Sequence, residues 1–216
     1  MEITSNHWAF ICETACKTSS QIYVPIYPLV PEHDAKPTFE MLLSLYNSVL
    51  VNEISNGFTI MGDSAGGTIS LSFAMLLRDQ HLTQPDHIIL ISPLIRMTDC
   101  TPEEAQKIAL IEKKDPILCY KSIPTLAKWW AGDLDYSHYF VSPGLGDLHG
   151  LGKITLLTGS HDVLSVANET FYKRTLDENI SIDFHLFKDM FHCWVFVSTK
   201  EGKAGKEIIY KAINEN

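Results

Sequence analysis

The chain has 216 residues, 45% hydrophobic and 20% charged, with a formal net charge of −9 at pH 7, which fits one soluble globular domain with a substantial core. No apolar run approaches the roughly eighteen residues of a membrane span, and the start, MEITSNHWAF, lacks the basic end and apolar stretch of a secretory signal, so the cytoplasm is the expected location. Scattered Lys and Arg on an acidic chain give the wrong field for nucleic acid or an anionic membrane surface, and nothing here argues against a homo-oligomer.

From the N-terminus, Cys12 and Cys16 stand four apart, a spacing that puts both on one helical face and predicts core packing. With Cys100, Cys119 and Cys193 they make five cysteines without a CxxC pair, so reduced thiols are expected instead of disulfides or a zinc site. Residues 22–27 are short, β-branched and apolar, the first of five strand candidates; the others are 58–61, 87–91, 154–158 and 182–187. Strands apolar on both faces suit a parallel sheet covered on both sides. Phe39, Leu42, Leu43, Tyr46, Val49 and Leu50 recur at helical spacing after Pro37 and before Ser55-Asn56-Gly57, which predicts one amphipathic helix ending at that turn. Further helices are predicted near 65–80, 165–178 and 203–212.

Strands alternating with helices predict an α/β chain, doubly wound, with about five mostly parallel strands flanked by helices in a single domain over 1–216. The irregular stretch 92–152 carries helical pieces near 103–111 and 122–131. It is long for a crossover, so a lid-like insertion is expected at about 93–150. Trp129 and Trp130 lie within it, and two adjacent residues cannot both face one side of a helix, so at most one lines a pocket.

The strongest chemical signal is Phe58-Thr59-Ile60-Met61-Gly62-Asp63-Ser64-Ala65-Gly66-Gly67, a strand, then GxSxG, then a helix. A serine at so sharp a turn is pushed out at the carboxyl edge of the sheet, where open α/β folds place ligands. Ser64 is the candidate nucleophile, with Gly62, Asp63, Gly66 and Gly67 forming its elbow. Side chains at Gly62 and Gly66 are expected to collide with nearby backbone. The Ala65 amide, at a helix N-terminus, is the candidate oxyanion donor. A phosphate-binding turn is disfavoured, because neither a P-loop Lys-Ser/Thr nor GxGxxG is present.

A serine hydroxyl needs a base, and the base needs a group that fixes its tautomer. Asp162 follows the fourth strand candidate and His192 follows the fifth, so Ser64, Asp162 and His192 are expected at one sheet edge, as acid and base of a triad. Among nine histidines, His161 beside the acid should project differently and His185 lies inside a strand. Asp189 is the reserve acid. No cluster has metal-ligand spacing, so no metal is expected.

These segments resemble the hormone-sensitive-lipase-like branch of the α/β-hydrolases, the esterase and acetyl-hydrolase group. Tyr27-Pro28-Leu29-Val30-Pro31-Glu32-His33 is similar to that family's YRLAPEH stretch, and Gly62-Asp63-Ser64-Ala65-Gly66-Gly67 matches its GDSAGG elbow. Thr158-Gly159-Ser160-His161-Asp162 and Phe191-His192 fall where its acid and base occur. The resemblance, from about Trp8 onward, implies hydrolysis of small-molecule esters with short- to medium-chain acyl groups through an acyl-enzyme, without metal or cofactor. The chain departs from the family in having no HGG tripeptide, where members carry an oxyanion HGGG, and the family's first strands lack counterparts, so an N-terminally truncated fold is expected. The expected activity is a serine carboxylesterase. The alternatives are an impaired fragment or remnant that binds an acyl ligand or partner protein, and a related peptidase or thioesterase.

Overall fold

The computed structural model describes residues 2–54 and 57–215. Helix α1 (Ser5–Thr18) begins at Thr4, whose hydroxyl accepts the His7 amide while the His7 ring nitrogen Nδ1 accepts the Thr4 amide at 3.0 Å. Phe10 and Thr14, four residues apart, turn inward and are buried. Cys12 and Cys16 sit two residues on from each, fall on the opposite face, and are exposed. Core packing of those cysteines is therefore overturned.

Residues 22–27 form no strand, which corrects the first of the five expected ones. A strand exists only through a hydrogen-bonded neighbour, and this segment pairs with none in the described sheet. Helix α2 (Ala35–Leu45) is capped by Asp34, whose carboxylate accepts the Lys36 amide at 3.0 Å. It starts before Pro37, because a proline in the first turn has no N–H to lose. A π-helical turn carries it on into the short α3 (Val51–Glu53). Of the predicted turn, Ser55 and Asn56 lie outside the described residues, and Gly57 takes φ +84°.

The remaining elements alternate as expected. They are β1 (Thr59–Asp63), α4 (Ala65–Asp79), β2 (His87–Ile91), α5 (Pro102–Ile111), α6 (Ile123–Ala131), β3 (Lys153–Gly159), α7 (Ser165–Asp177), β4 (Asp183–Phe187) and α8 (Lys200–Asn214). The described strands form one parallel sheet in the order β1-β2-β3-β4. The apolar run on β2 explains its central place. Ile88 and Leu90 pack with Leu71 and Met75 of α4 and Phe171 of α7, while Ile89 and Ile91 pack with Phe10 of α1 and Ile209 of α8. Burying both faces of a five-residue strand in this way is the main hydrophobic stabilisation at the centre, about 1.5–3 kcal/mol per large side chain. β1, at the margin of the described sheet, is only half-buried along its length.

The segment between β2 and β3 is held down firmly. Thr101 and Glu104 form a capping box at the start of α5. Glu104 also receives Arg96 at 2.7 Å and the Thr170 hydroxyl of α7 at 2.9 Å. Trp130 is buried, donates its indole N–H to the Phe140 carbonyl at 2.8 Å, and packs near Phe39 of α2. Its neighbour Trp129 is exposed, as helical geometry requires of adjacent residues.

Candidate active site

The strand registers align Asp63 with Ile91, Ile91 with Leu157, and Gly159 with Phe187. The carboxyl ends of all four strands thus form one rim, and Ser64, Asp162 and His192 each emerge from it on a short loop.

Ser64 occupies the joint between β1 and α4 with φ 53° and ψ −118°, a region that a side chain tolerates only when its surroundings enforce it. Its amide donates to the Ile91 carbonyl at 2.9 Å and its carbonyl accepts from Leu94 at 3.1 Å. A Cβ at Gly62 would strike the Gly66 carbonyl, and one at Gly67 would lie 2.6 Å from Pro93 Cβ. At Gly66 a Cβ would meet nothing within 4 Å, which corrects the expected collision there: the crowding falls on its carbonyl. Ala65 begins α4, so its amide has no acceptor within the helix.

Asp162 is fully buried. One carboxylate oxygen, Oδ1, accepts the Leu164 amide at 2.9 Å, and Oδ2 lies 3.1 Å from His192 Nδ1. A carboxylate can only accept, so the proton on that side belongs to Nδ1, and Nε2 is left to accept the Ser64 hydroxyl at 3.0 Å. Burial disfavours charge on His192. The hydrogen bond to Asp162 and the negative fields of Asp162, Asp115 and Asp63 outweigh it and hold the imidazole above its ordinary value.

The loops bearing acid and base are stitched together. Ser160 and His161 donate their amides to the carbonyls of Phe187 and Met190 at 2.9 and 2.8 Å, and the Asp189 amide donates to the Ser160 hydroxyl at 2.8 Å. Asp189, the reserve acid, approaches His161 at 3.3 Å. Lys114 Nζ lies 3.3 Å from that same His161 Nε2, and a single ring nitrogen serves only one of the two at a time. His185 pairs with Asp183 at 2.8 Å, away from Ser64's rim.

Three further residues, His7, Cys193 and Asp115, reach the site although no catalytic motif points to them. His7 Nε2 lies 3.5 Å from the Asp63 carboxylate, which lifts the His7 imidazole above its usual value. The Cys193 thiol faces the same carboxylate at 3.7 Å, and burial pushes that thiol well up, so it stays protonated. Asp115, from the segment between α5 and α6, accepts the Val163 amide at 3.2 Å, next to Asp162. Its only signal was the turn-forming pair Asp115-Pro116. Among the described residues, no three His, Cys, Asp or Glu side chains converge as a metal site requires, and no helix is long and apolar enough to cross a membrane.

A family model described as the alpha/beta hydrolase fold matches residues 1–196. An esterase of Acinetobacter venetianus is 26% identical over 208 residues, covering 93% of this chain and 67% of that protein. A triacylglycerol lipase of Mycobacterium tuberculosis is 25% identical over 193 residues, covering 89% of this chain and 39% of the lipase. A crystal structure of a hormone-sensitive lipase from a metagenome library shares the fold, with a TM-score of 0.86 at 19% identity, over 97% of this chain and 70% of that one. The chain thus spans about two thirds of the length of the esterase and well under half that of the lipase.

Proposed function

The chain belongs to the alpha/beta hydrolase fold family, and we propose that it is a serine carboxylesterase acting on small esters with short- to medium-chain acyl groups. The observation that carries this reading is the unbroken relay from Ser64 Oγ to His192 Nε2 at 3.0 Å and from His192 Nδ1 to Asp162 at 3.1 Å. It is supported by relatives that are themselves an esterase and a lipase.

In this reading Ser64 Oγ attacks the ester carbonyl while its proton passes to His192 Nε2. The tetrahedral oxyanion faces the Ala65 amide, with the positive end of α4 behind it. The intermediate collapses when the imidazolium returns the proton to the leaving alkoxide, releasing the alcohol and leaving Ser64 acylated. Water then repeats the sequence: His192 takes its proton, the acid departs, and Ser64 recovers its own. Asp162 keeps its charge and steadies the imidazolium in both halves. The lid-like insertion at about 93–150, which reaches the acid loop through Asp115, is the proposed cover of the acyl pocket.

Fluorophosphonate labelling with peptide mapping tests the proposal. Labelling at Ser64 that both Ser64→Ala and His192→Ala abolish is the expected result. A folded sample that takes no label favours the second reading, a binding protein. Hydrolysis of p-nitrophenyl acyl esters in preference to acyl-CoA or aminoacyl anilides separates an esterase from a thioesterase or peptidase.

A further inference from the structure

The loop between α5 and α6 does more than pass near the acid. Asp115 stands at its start and uses both carboxylate oxygens: Oδ1 accepts the amides of Ile117 and Leu118 at 3.0 and 3.2 Å, and Oδ2 accepts the amide of Val163 at 3.2 Å. The first pair shapes its own turn. The last contact crosses 48 residues of sequence and lands on the residue that follows Asp162. Val163 and Leu164 are themselves buried and pack in one cluster with Leu118 and Ile123 of the insertion, and the Asp115 carboxylate adds a hydrogen bond from the insertion directly to the backbone of the acid loop. We propose that Asp115 is a positioning residue for the triad: by gripping the Val163 amide it fixes the orientation of Asp162 toward His192 and makes a correctly seated insertion a condition for an active base. The functional part of this inference rests on the serine-hydrolase reading above.

The charged groups facing His192 come from several elements. Asp162 lies on the acid loop, Asp63 at the end of β1 with His7 of α1 upon it, Asp115 on the insertion, and the Cys193 thiol next in the chain. Lys114 and Asp189 lie farther out, around His161. Removing Asp115 therefore withdraws one of three negative fields on the imidazole as well as the grip on Val163.

The test is NMR of the full chain, following the His192 ring through a pH titration and the Val163 amide by hydrogen exchange. In Asp115→Asn, whose oxygen can keep the Ile117 and Leu118 turn but whose amide nitrogen cannot accept from Val163, the His192 midpoint should fall by about half a pH unit and the Val163 amide should exchange about tenfold faster. In Asp115→Ala both changes should appear together with about tenfold slower labelling of Ser64. A folded Asp115→Asn whose His192 midpoint is unchanged overturns the proposal, even if its melting temperature drops, because a merely structural residue would lower stability without moving that midpoint. If the NMR changes appear but the unaltered chain takes no fluorophosphonate label, the esterase reading falls and the positioning role stands.

Discussion

His192 with Asp162 and His185 with Asp183 are the same two side chains held at different reaches of one sheet. The β4 pair is the closer, at 2.8 Å against 3.1 Å. Its side chains are 28% and 62% exposed, however, whereas those of the rim pair are 5% and 0% exposed. The first pair is partly open to water on its carboxylate side, and the His185 Nε2 that approaches it makes no well-aligned hydrogen bond. The second pair is dry, satisfied by the Leu164 amide, and meets a hydroxyl on its far nitrogen. Proximity alone does not separate the two pairs; burial, a fixed tautomer and a third group are what suit the rim histidine to the proposed role of base.

The sharpest way to break this contrast is to remove each histidine in turn. His192→Ala should lower ester turnover by a factor on the order of 10⁵, while His185→Ala should leave it within about twofold, both read with a p-nitrophenyl ester. The carboxylates come next. Asp162→Asn should lower turnover by a factor on the order of 10⁴, since an amide can donate to the ring and impose the wrong tautomer; Asp183→Asn should not change it. Equal losses in the two members of either set would dissolve the distinction.

A smaller effect follows from pH. The folded environment favours the His192 imidazolium, so the neutral base becomes available only above the ordinary value of about 6.5, and the acid limb of kcat/KM should be centred above that. The sign for stability is the reverse. Stabilisation by the charged pair is complete below the unfolded value and is lost as pH rises through the raised folded one. A limb centred at or below 6.5 would contradict the field assigned to Asp162, Asp115 and Asp63. Smallest of all, Asp183→Asn should change unfolding free energy by less than about 0.5 kcal/mol in a urea titration.

Much of this arrangement was visible in the sequence because it is written in local pattern. The run His87–Ile91 announces a strand covered on both faces, and Gly62 before Ser64 announces a turn with no room for a side chain. What stayed hidden depends on partners remote in the chain. Residues 22–27 have the composition of a strand but pair with no described strand. Cys12 and Cys16 share a face, yet Phe10 and Thr14 decide which face turns inward. Asp115 and His7 acquire their importance from Val163 and Asp63, and no spacing rule links residues so far apart.

The stitching of the acid and base loops has a mechanical consequence. Ser160, His161 and Asp189 fasten these two loops into one body seated on β3 and β4, whereas Ser64 rides on β1, a marginal strand with β2 as its described neighbour. Gentle destabilisation should therefore part the molecule along that seam, carrying the alcohol away from an imidazole and carboxylate that remain together. Enzymatic death would then precede collapse of the core, with β1 amides losing exchange protection ahead of those in β2 and β3.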